Sequence, residues 1–536
     1  MKSNHFLSLL LTSLSFTAST TAHPSRPTNE APLATCSTSS SYKVSYNSLA
    51  GFGRLSGRIR DKYGDTVSFG SSLAIEPSSW RLVPTQSTSD RPKGKDSKKK
   101  KVYTASAYLL PDRGWNTNGT INYQPRLHKF QLTFDPSVKS GSKPNLIWTY
   151  RDTILLKDNL GRPLTGLDPN TSFNQTGWPQ LPASTYTGDG YGGEGPGGTR
   201  VAIDPEGLAL DGKGGYFISD EYASYIYHFD KTGTLKSVTL PPDSIIPRRK
   251  GVVSFASNNP PRYDPSLEPK PKNPDSGRAN NQGLEGLTLS PSGKYLFTLL
   301  QSATIQDGGK EKYTNSHSRL LRYKRVKNKD KEDSWELDGE FVVKLPTYTD
   351  PTKKPEENPR TAAQSEIAAL SDTQFLVLSR DSNFGRGLEI TTSQYRHVDV
   401  FDISKASNIF GLYDGATDAV SPGGVLRAGI KQAEYCSLID FNNAVQIAKF
   451  GLENGGNSVG TLNEKWEGIA LVPNLEDDEG RRGKKDKSKR YYAIAISDND
   501  FITQDGYFGG GQYRYADGSG AELDNQSLIF EVTLEK

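Results

Sequence analysis

Short apolar runs of about five residues fill most of the chain and are separated by turns rich in Gly, Pro, Asn and Asp. Runs of this length, joined by such turns, predict β-strands that pair as hairpins. Amphipathic helices are scarce, and the stretch 429–450 is the best candidate for one. The pattern therefore predicts an all-β protein.

One hairpin unit recurs four times, and a glutamate stands at the start of the first strand in each copy. These first strands cover 205–210, 284–289, 365–370 and 466–471. The second strand ends in an acidic or polar cluster, and Gln301 stands where the other copies have an acid. Such repetition is typical of propellers, because one hairpin cannot bury both of its own faces.

The spacing of the copies bears on the number of blades. The first three copies are about 80 residues apart, which exceeds a minimal blade of about 40–50 residues. We therefore expect a β-propeller of about six blades, with the number left open, and with long loop insertions. The last strand, 527–534, is expected to pair with an early strand and so close the ring.

The repeated acids predict a cation site. Antiparallel pairing returns the end of the second strand to the start of the first, so Glu206 should face the acids at 220 and 221. Converging carboxylates raise one another's pKa unless a cation neutralises them, and oxygen ligands suit Ca²⁺. The alternative is that each glutamate binds backbone amides between blades. The predicted metal ligands are Glu206, Asp220, Glu221, Glu285, Glu366, Glu467, Asp498 and Asp500.

The N-terminal region has the features of an exported chain. Residues 1–22 combine a basic start, an apolar stretch and small residues at a cleavage site, as in a secretory signal peptide. Residues 23–44 are expected to form an extended arm, and 45–536 the propeller domain. No later segment has about 18 continuous apolar residues, so we expect a secreted, extracellular protein without a membrane partner.

The cysteines and glycosylation motifs agree with export. Cys36 and Cys436 are the two cysteines of the chain, and in an oxidising compartment they could form one disulfide. Two free buried thiols are the alternative. The acceptor motif Asn-X-Ser/Thr predicts glycosylation at Asn118, Asn170, Asn174 and Asn525.

The charge pattern argues against a polyanionic partner. The formal net charge of +4 is small for 536 residues. Two Lys/Arg-rich runs, 93–101 and 481–490, lack interleaved aromatic residues and lie between apolar strands. They predict solvated hairpin insertions rather than nucleic-acid binding. We expect a monomer that takes a small-molecule substrate.

Several enzyme classes lack their motifs here. The stretch 456–460 matches G-x-S-x-G around Ser458, but no strand precedes it as a nucleophile elbow requires. The zinc motifs H-E-x-x-H and paired C-x-x-C are absent from the sequence. These observations disfavour a serine hydrolase and a zinc enzyme.

A set of phrases in a fixed order points to one family. They occupy 110–116, 204–207, 219–222, 281–287, 365–367 with 380–381, and 497–501. In combination they resemble the phytase-like family, also described as "esterase-like activity of phytase", and in particular its secreted fungal members. The resemblance covers roughly residues 45–534 and implies hydrolysis of phosphate or carboxylic esters.

Phosphate-ester hydrolysis requires neutralised phosphoryl oxygens and a positioned water. Acids at strand ends and two arginines beside aspartates could meet these needs. The two arginines could fork onto a phosphate or form salt bridges with neighbouring acids, and both roles stay open. The candidate catalytic residues are Glu285, Glu467, Asp381, Arg380 and Arg113.

The sequence thus predicts a secreted ester hydrolase that uses Ca²⁺ at an acidic central rim, with phosphomonoesters favoured as substrates. One alternative is a non-catalytic propeller that binds a ligand or an extracellular partner through the same rim. Another is a Ca²⁺-dependent lactonase or carboxylesterase.

Overall fold

Alternating apolar residues produce a chain made almost entirely of β-strands. A computed structural model describes residues 31–39, 42–85, 100–328, 333–381, 383–476 and 488–536. The predicted signal peptide, 1–22, and the start of the predicted arm lie outside these residues. Short 3₁₀ turns cover Pro77–Ser79, Pro265–Leu267, Ile305–Asp307, Pro355–Glu357 and Pro422–Gly424. The predicted all-β class is confirmed.

The predicted helix at 429–450 is mostly wrong. Its first half contains a strand, Glu434–Asp440, which pairs with the preceding strand of its sheet. Helix α1 spans Ala444–Ala448, and the Asn443 side chain caps it by accepting a hydrogen bond from Gln446 N. Pairing with a neighbouring strand therefore overrides the helical periodicity of this stretch.

The N-terminal part of the chain contains two early strands, one large sheet and one small sheet. Strands β1 (Ala34–Ser37) and β2 (Lys43–Leu55) come first. Sheet I contains β3 (Ser72–Ile75), β4 (Arg81–Pro84), β5 (Lys101–Leu110), β6 (Arg126–Phe134) and β7 (Leu146–Leu155). A three-stranded sheet follows, with β8 (Thr171–Phe173), β9 (Leu181–Tyr186) and β10 (Gly198–Val201).

Three four-stranded antiparallel meanders form the middle of the chain. Sheet II contains β11 (Pro205–Leu210), β12 (Tyr216–Asp220), β13 (Ile226–Phe229) and β14 (Leu235–Thr239). The hairpin β15 (Arg248–Arg249) and β16 (Val252–Val253) precedes sheet III, with β17 (Leu284–Leu289), β18 (Tyr295–Leu300), β19 (His317–Val326) and β20 (Ser334–Lys344). The hairpin β21 (Thr347–Tyr348) and β22 (Arg360–Thr361) precedes sheet IV, with β23 (Ala363–Ala369), β24 (Gln374–Arg380), β25 (Arg396–Asp402) and β26 (Glu434–Asp440).

Sheet V joins the two ends of the chain. Its later strands are β27 (Trp466–Pro473), β28 (Ser488–Ser497) and, after the hairpin β29 (Gly506–Phe508) and β30 (Tyr513–Tyr515), β31 (Asn525–Glu535). The order across the sheet is β1-β2-β31-β28-β27. Strand β31 pairs antiparallel with β2, and Leu528 lies opposite Phe52. The predicted pairing of the last strand with an early strand is confirmed, and β1 belongs to the sheet although it falls within the predicted arm.

One edge strand from each of the five large sheets, which we call its inner strand, takes part in a cycle of contacts. Strand β3 contacts β11, β11 contacts β17, β17 contacts β23, β23 contacts β27, and β27 contacts β3. The sequence predicted about six blades, whereas the described residues form five sheets of four or more strands. Strand β3 belongs to this cycle although its sequence lacks the glutamate of the other four.

A β-bulge lies at or beside each repeated glutamate. Strand pairing is irregular at this position in β11, β17, β23 and β27. In three of these strands a glycine follows the glutamate, and the next inner strand packs closely on it. A Cβ atom on Gly207 would lie 2.4 Å from Glu285 O, and one on Gly286 would lie 2.8 Å from Ile367 N. The repeated Glu-Gly pair therefore reflects close approach of neighbouring inner strands.

Apolar side chains fill the spaces between neighbouring sheets. Trp466 and Phe530 of sheet V pack with Val400 of sheet IV. Phe297 of sheet III and Phe375 of sheet IV make an edge-to-face contact with ring centroids 4.8 Å apart. Burial of this apolar surface is the main force that holds the sheets together.

A disulfide connects two of the sheets. Cys36 on β1 bonds to Cys436 on β26, with their Cα atoms 6.0 Å apart. The predicted bridge is confirmed, and the alternative of two free thiols is wrong. The bridge joins sheet V to sheet IV across 400 residues of sequence.

The two basic runs lie between strands that pair with each other. Strand β4 pairs with β5, and β27 pairs with β28, while 86–99 and 477–487 lie outside the described residues.

Three of the four predicted glycosylation sites, Asn118, Asn170 and Asn174, are exposed. Asn525 is fully buried and accepts a hydrogen bond from Phe69 N at 2.6 Å, so a glycan there is incompatible with this fold. Across the described ranges, no helix has the length and apolarity needed to cross a bilayer.

Candidate active site

The starts of the inner strands surround one cavity of about 1030 Å³. Most of the predicted site residues line it, although they come from all five large sheets and the loops beside them. The predicted residues in its wall are Arg113, Glu206, Glu285, Arg380, Asp381, Glu467, Asp498 and Asp500. Acids that are distant in sequence thus lie around the same cavity.

One cluster of acids, the first acidic group, consists of Asp204, Glu206 and Glu221, whose carboxylate oxygens lie within 4.8 Å of one another. Burial raises the pKa of Glu206 well above its usual value, and the nearby carboxylates of Glu285, Asp204 and Glu221 raise it further. Within the described residues, no side chain or amide donates a hydrogen bond to the Glu206 carboxylate. The group therefore carries more negative charge than the surrounding protein neutralises.

Two further carboxylate oxygens, one within this group and one on the nearby Glu285, also lack hydrogen-bond partners. Arg113 Nη1 donates to Asp204 Oδ2 at 2.7 Å, but Asp204 Oδ1 is buried without a hydrogen-bond partner. Glu285 Oε1 accepts a hydrogen bond from Gln301, and Glu285 Oε2 is buried without one. Burial raises the pKa of Asp204 to about 7, and Arg113 opposes this rise. Buried carboxylate oxygens without donors are costly unless a cation binds them.

The second acidic group consists of Asp112, Asp498 and Asp500, and a lysine offsets part of its charge. Lys465 Nζ lies 2.5 Å from Asp500 Oδ1, 3.1 Å from Asp498 Oδ2 and 3.4 Å from Glu467 Oε1. Burial alone would lower the pKa of Lys465, but these carboxylates raise it well above its usual value. Burial and the Asp498 carboxylate raise the pKa of Asp112. In the first acidic group, by contrast, Arg113 pairs with Asp204 alone, and the Glu206 carboxylate has no donor within the described residues.

The two arginines predicted to hold substrate are engaged with acids. Arg113 binds Asp204, and Arg380 Nη2 binds Glu467 Oε1. The other carboxylate oxygen of Glu467 lies 3.3 Å from Ser71 Oγ. Both arginines thus form salt bridges, but not with Asp112 and Asp381, the neighbouring acids that the sequence suggested as partners. Arg380 Nε nevertheless lacks a hydrogen-bond partner.

Two predicted metal ligands have structural roles instead. Glu366 lies outside the cavity wall, accepts hydrogen bonds from Leu287 N and Ile367 N, and contacts Ser72 Oγ of sheet I. Asp220 accepts hydrogen bonds from Asp204 N at 2.8 Å and Ala223 N at 2.6 Å. The predicted role of Glu366 and Asp220 as metal ligands is therefore not supported by their positions.

Asp381 lines the cavity, but backbone amides occupy its carboxylate. Asn383 N donates to Oδ1 at 3.0 Å, and Tyr395 N donates to Oδ2 at 2.7 Å. This arrangement fixes the loop that follows β24. It leaves Asp381 poorly placed as a proton acceptor.

Four important residues were missed by the sequence reasoning. Asp112 and Asp204 lie inside phrases that carried the family resemblance, and Lys465 directly precedes the fourth repeat. Lys312 lies in a loop with no motif, yet it lines the cavity. Their contribution depends on contacts between sheets, which spacing along the chain does not encode.

Ser458 does not have the setting of a catalytic serine. Its Oγ donates to Glu453 Oε1 at 2.5 Å in an exposed loop between α1 and β27. A nucleophile elbow would place the serine between a strand and a helix. This agrees with the sequence argument against a serine hydrolase.

Comparison with known proteins identifies the family. The chain is 42% identical over 480 residues to an uncharacterized secreted protein of Arthroderma benhamiae, with 87% of this chain and 89% of that protein covered. A solved luciferin-regenerating enzyme is 10% identical with a TM-score of 0.22, over 89% of this chain and 95% of that one. Residues 104–501 match the phytase-like family, described as "esterase-like activity of phytase", and the chain belongs to that family.

Proposed function

We propose that the protein is a secreted hydrolase of ester bonds, with phosphomonoesters as favoured substrates, and that it uses Ca²⁺ in the central cavity. We further propose that sheets I to V are the blades of a five-bladed β-propeller, because their inner strands contact one another in a cycle. Membership of the phytase-like family supports ester hydrolysis, and the secreted relative supports export.

The observation that carries this proposal is the uncompensated charge of the first acidic group. Glu206 is 6% exposed, lines the cavity and is surrounded by other carboxylates. Asp204 Oδ1 and Glu285 Oε2 are buried without donors beside it. A set of carboxylate oxygens without nitrogen or sulfur ligands fits Ca²⁺ better than zinc.

In this proposal, Asp204, Glu206, Glu221 and Glu285 hold the cation. When bound, it supplies positive charge to an ester oxygen and to the attacking water. Arg113 fixes the position of Asp204, and Gln301 fixes one oxygen of Glu285. Glu285 Oε2, which has no hydrogen-bond partner, is the oxygen of Glu285 that remains to bind the cation.

The test combines metal analysis with activity. Purified protein is analysed for bound Ca²⁺ and assayed on p-nitrophenyl phosphate, phytate and p-nitrophenyl acetate, with Ca²⁺ or with a chelator. Glu206→Gln is expected to lose the metal and to lower turnover at least about tenfold, because one charge-bearing ligand is gone. Glu356→Gln, which removes an exposed carboxylate far from the first acidic group, is the matched control.

Each alternative function has its own outcome. A folded, Ca²⁺-loaded protein that turns over none of the three esters would indicate a binding protein. Turnover of the acetate alone would indicate a carboxylesterase. Activity that survives the chelator and Glu206→Gln would reject the cation site.

A further inference from the structure

Lys312 is a cationic side chain of the cavity wall whose ammonium group, within the described residues, has neither an ion pair nor a hydrogen bond. Arg386 of the same wall also lacks an ion pair, but its guanidinium donates to the carbonyl oxygens of Thr461 and Ser458. Lys312 is partly buried in the loop between the Ile305–Asp307 turn and β19, and its carbonyl oxygen accepts a hydrogen bond from Thr361 N at 2.8 Å. Among the residues that the structure describes, no carboxylate forms an ion pair with its ammonium group. In contrast, the other lysine of the wall, Lys465, contacts three carboxylates.

The nearest charges to Lys312 include two arginines. Burial lowers the pKa of Lys312, and the guanidinium groups of Arg360 and Arg380 lower it further. Both arginines have a buried Nε without a hydrogen-bond partner. Three cationic groups are thus close together, and two of them, Lys312 and Arg380, line the cavity; we name these two residues the basic wall.

The acids beside the basic wall are already engaged. Asp381 accepts hydrogen bonds from the backbone amides of Asn383 and Tyr395. Asp350 accepts from Thr352 N at 2.9 Å, and its Oδ2 lies 3.6 Å from Arg360 Nε. Arg380 pairs with Glu467, and Asp350 and Glu357 lie within 4 Å of Arg360. Lys312 is therefore the member of these three cations without an ion-pairing carboxylate, and an anion bound from the cavity would supply one.

Both acidic and basic side chains line the cavity. Glu206 of the first acidic group and Lys312 of the basic wall face the same space. The volume of about 1030 Å³ is large enough for a drug-sized ligand. A phosphate has several acceptor oxygens, and so it can contact a cation held by the acids and the ammonium group of Lys312.

We propose that Lys312, with Arg380 beside it, is an anion-binding subsite that selects substrates carrying a phosphate group. This proposal rests on the proposed ester hydrolysis, because it assigns the substrate class to the same cavity. A neutral ester or lactone would leave the ammonium group of Lys312 without a partner. The subsite therefore distinguishes phosphate esters from the neutral esters that the family description also permits.

Binding of inorganic phosphate to the Ca²⁺-loaded protein tests the subsite without any turnover. Calorimetric titration is expected to give a dissociation constant at least about tenfold weaker for Lys312→Gln, since one charged hydrogen bond is lost. Lys310→Gln removes an exposed lysine from the same loop and should leave the constant unchanged. Equal phosphate binding by wild type and Lys312→Gln would overturn the proposal.

A measurement on the wild-type protein covers the case in which Lys312→Gln does not fold. Lysine acetylation is followed by mass spectrometry with and without phosphate. Phosphate is expected to slow acetylation of Lys312 and not that of Lys310. Equal rates at Lys312 in both conditions would overturn the subsite.

Turnover separates this proposal from the function on which it rests. Lys312→Gln should raise KM for p-nitrophenyl phosphate and leave p-nitrophenyl acetate unaffected. Phosphate binding that depends on Lys312 without any turnover would reject the hydrolysis and keep the subsite. Turnover together with Lys312-independent phosphate binding would do the reverse.

Discussion

Individual acids in this protein have different roles although their sequence contexts are alike. Glu206 and Glu366 open equivalent strands, but Glu206 lines the cavity while Glu366 contacts Ser72 of sheet I from between the inner strands. Hydrogen-bond donors around Glu366 satisfy its carboxylate, whereas none is found for Glu206 within the described chain. The number of available donors therefore decides which acid is free to bind a cation.

Glu366 should make stability depend on pH. Burial raises its pKa to about 8, well above the unfolded value of about 4.3. Between these values the native state keeps a proton that the unfolded state has lost, so stability is present at low pH and falls as pH rises. Urea unfolding from pH 5 to 8 should show wild type losing up to about 1.4 kcal/mol per pH unit relative to Glu366→Gln. Parallel stability curves for the two proteins would contradict the assigned burial.

Lys465 should limit the number of bound metal ions. Its ammonium group already pairs with Asp498 and Asp500 of the second acidic group, so we expect one Ca²⁺ per wild-type chain. Lys465→Met leaves Asp112, Asp498 and Asp500 without that cation and should raise the stoichiometry to two, as measured by elemental analysis and calorimetry. Lys431→Met, at an exposed position, is the control and should remain at one. An unchanged value for Lys465→Met would refute the compensation.

At the scale of elements, the inner strands determine how closely the sheets approach. The bulge at each glutamate turns the strand, and the following glycine allows the neighbouring strand to pack against it. In sheet IV, Ile367 takes the place of the glycine, and its backbone amide binds the Glu366 side chain. Strand β3 begins at Ser72 instead, with Ser71 directly before it, and Ser72 Oγ accepts a hydrogen bond from Leu208 N at 3.0 Å.

A methyl group on an inner strand should test this packing. Gly207→Ala places a Cβ 2.4 Å from Glu285 O and 2.6 Å from Leu287 Cβ, so the strands must separate. We expect a loss of about 1–3 kcal/mol in the free energy of unfolding, measured with urea. Gly518→Ala, whose Cβ meets no atom within 4 Å, should change stability little. Equal stability of the two variants would argue against tight contact of β11 with β17.

The repeat could be predicted because its strands keep an acid followed by apolar residues, and this pattern is visible along the chain. The fifth inner strand, β3, escaped notice because Ser71 and Ser72 replace the acid and the glycine. Lys465 and Lys312 also escaped, since their importance arises from charges contributed by other sheets. Asn525 was misassigned because a short glycosylation motif contains no information on burial.

At the scale of the whole molecule, two contacts join early segments of the chain to late ones. Strand β2 pairs with β31, and Cys36 bonds to Cys436 on β26. The first contact completes sheet V, and the second ties sheet V to sheet IV. Both join segments that are hundreds of residues apart, which makes the native contacts strongly non-local.

Removal of the disulfide should lower thermal stability. Cys36→Ser with Cys436→Ser frees a loop of 400 residues in the unfolded state, and the expected loss is roughly 2–4 kcal/mol. The melting temperature, followed by circular dichroism, should fall in the double variant and also in wild type treated with reductant. Reductant should have no effect on the double variant. A reduced wild type that melts unchanged would show that the bridge contributes nothing to stability.

The position of β31 also bears on how the protein is made. Because β31 lies between β2 and β28, sheet V stays incomplete until residues 525–535 have been translated. Until then, β2, which carries Leu49 and Phe52, lacks one of its two pairing strands and has an increased tendency to aggregate. A premature stop codon directly after Glu522 should therefore yield a product retained by chaperones, even though every cavity-lining acid has already been synthesised.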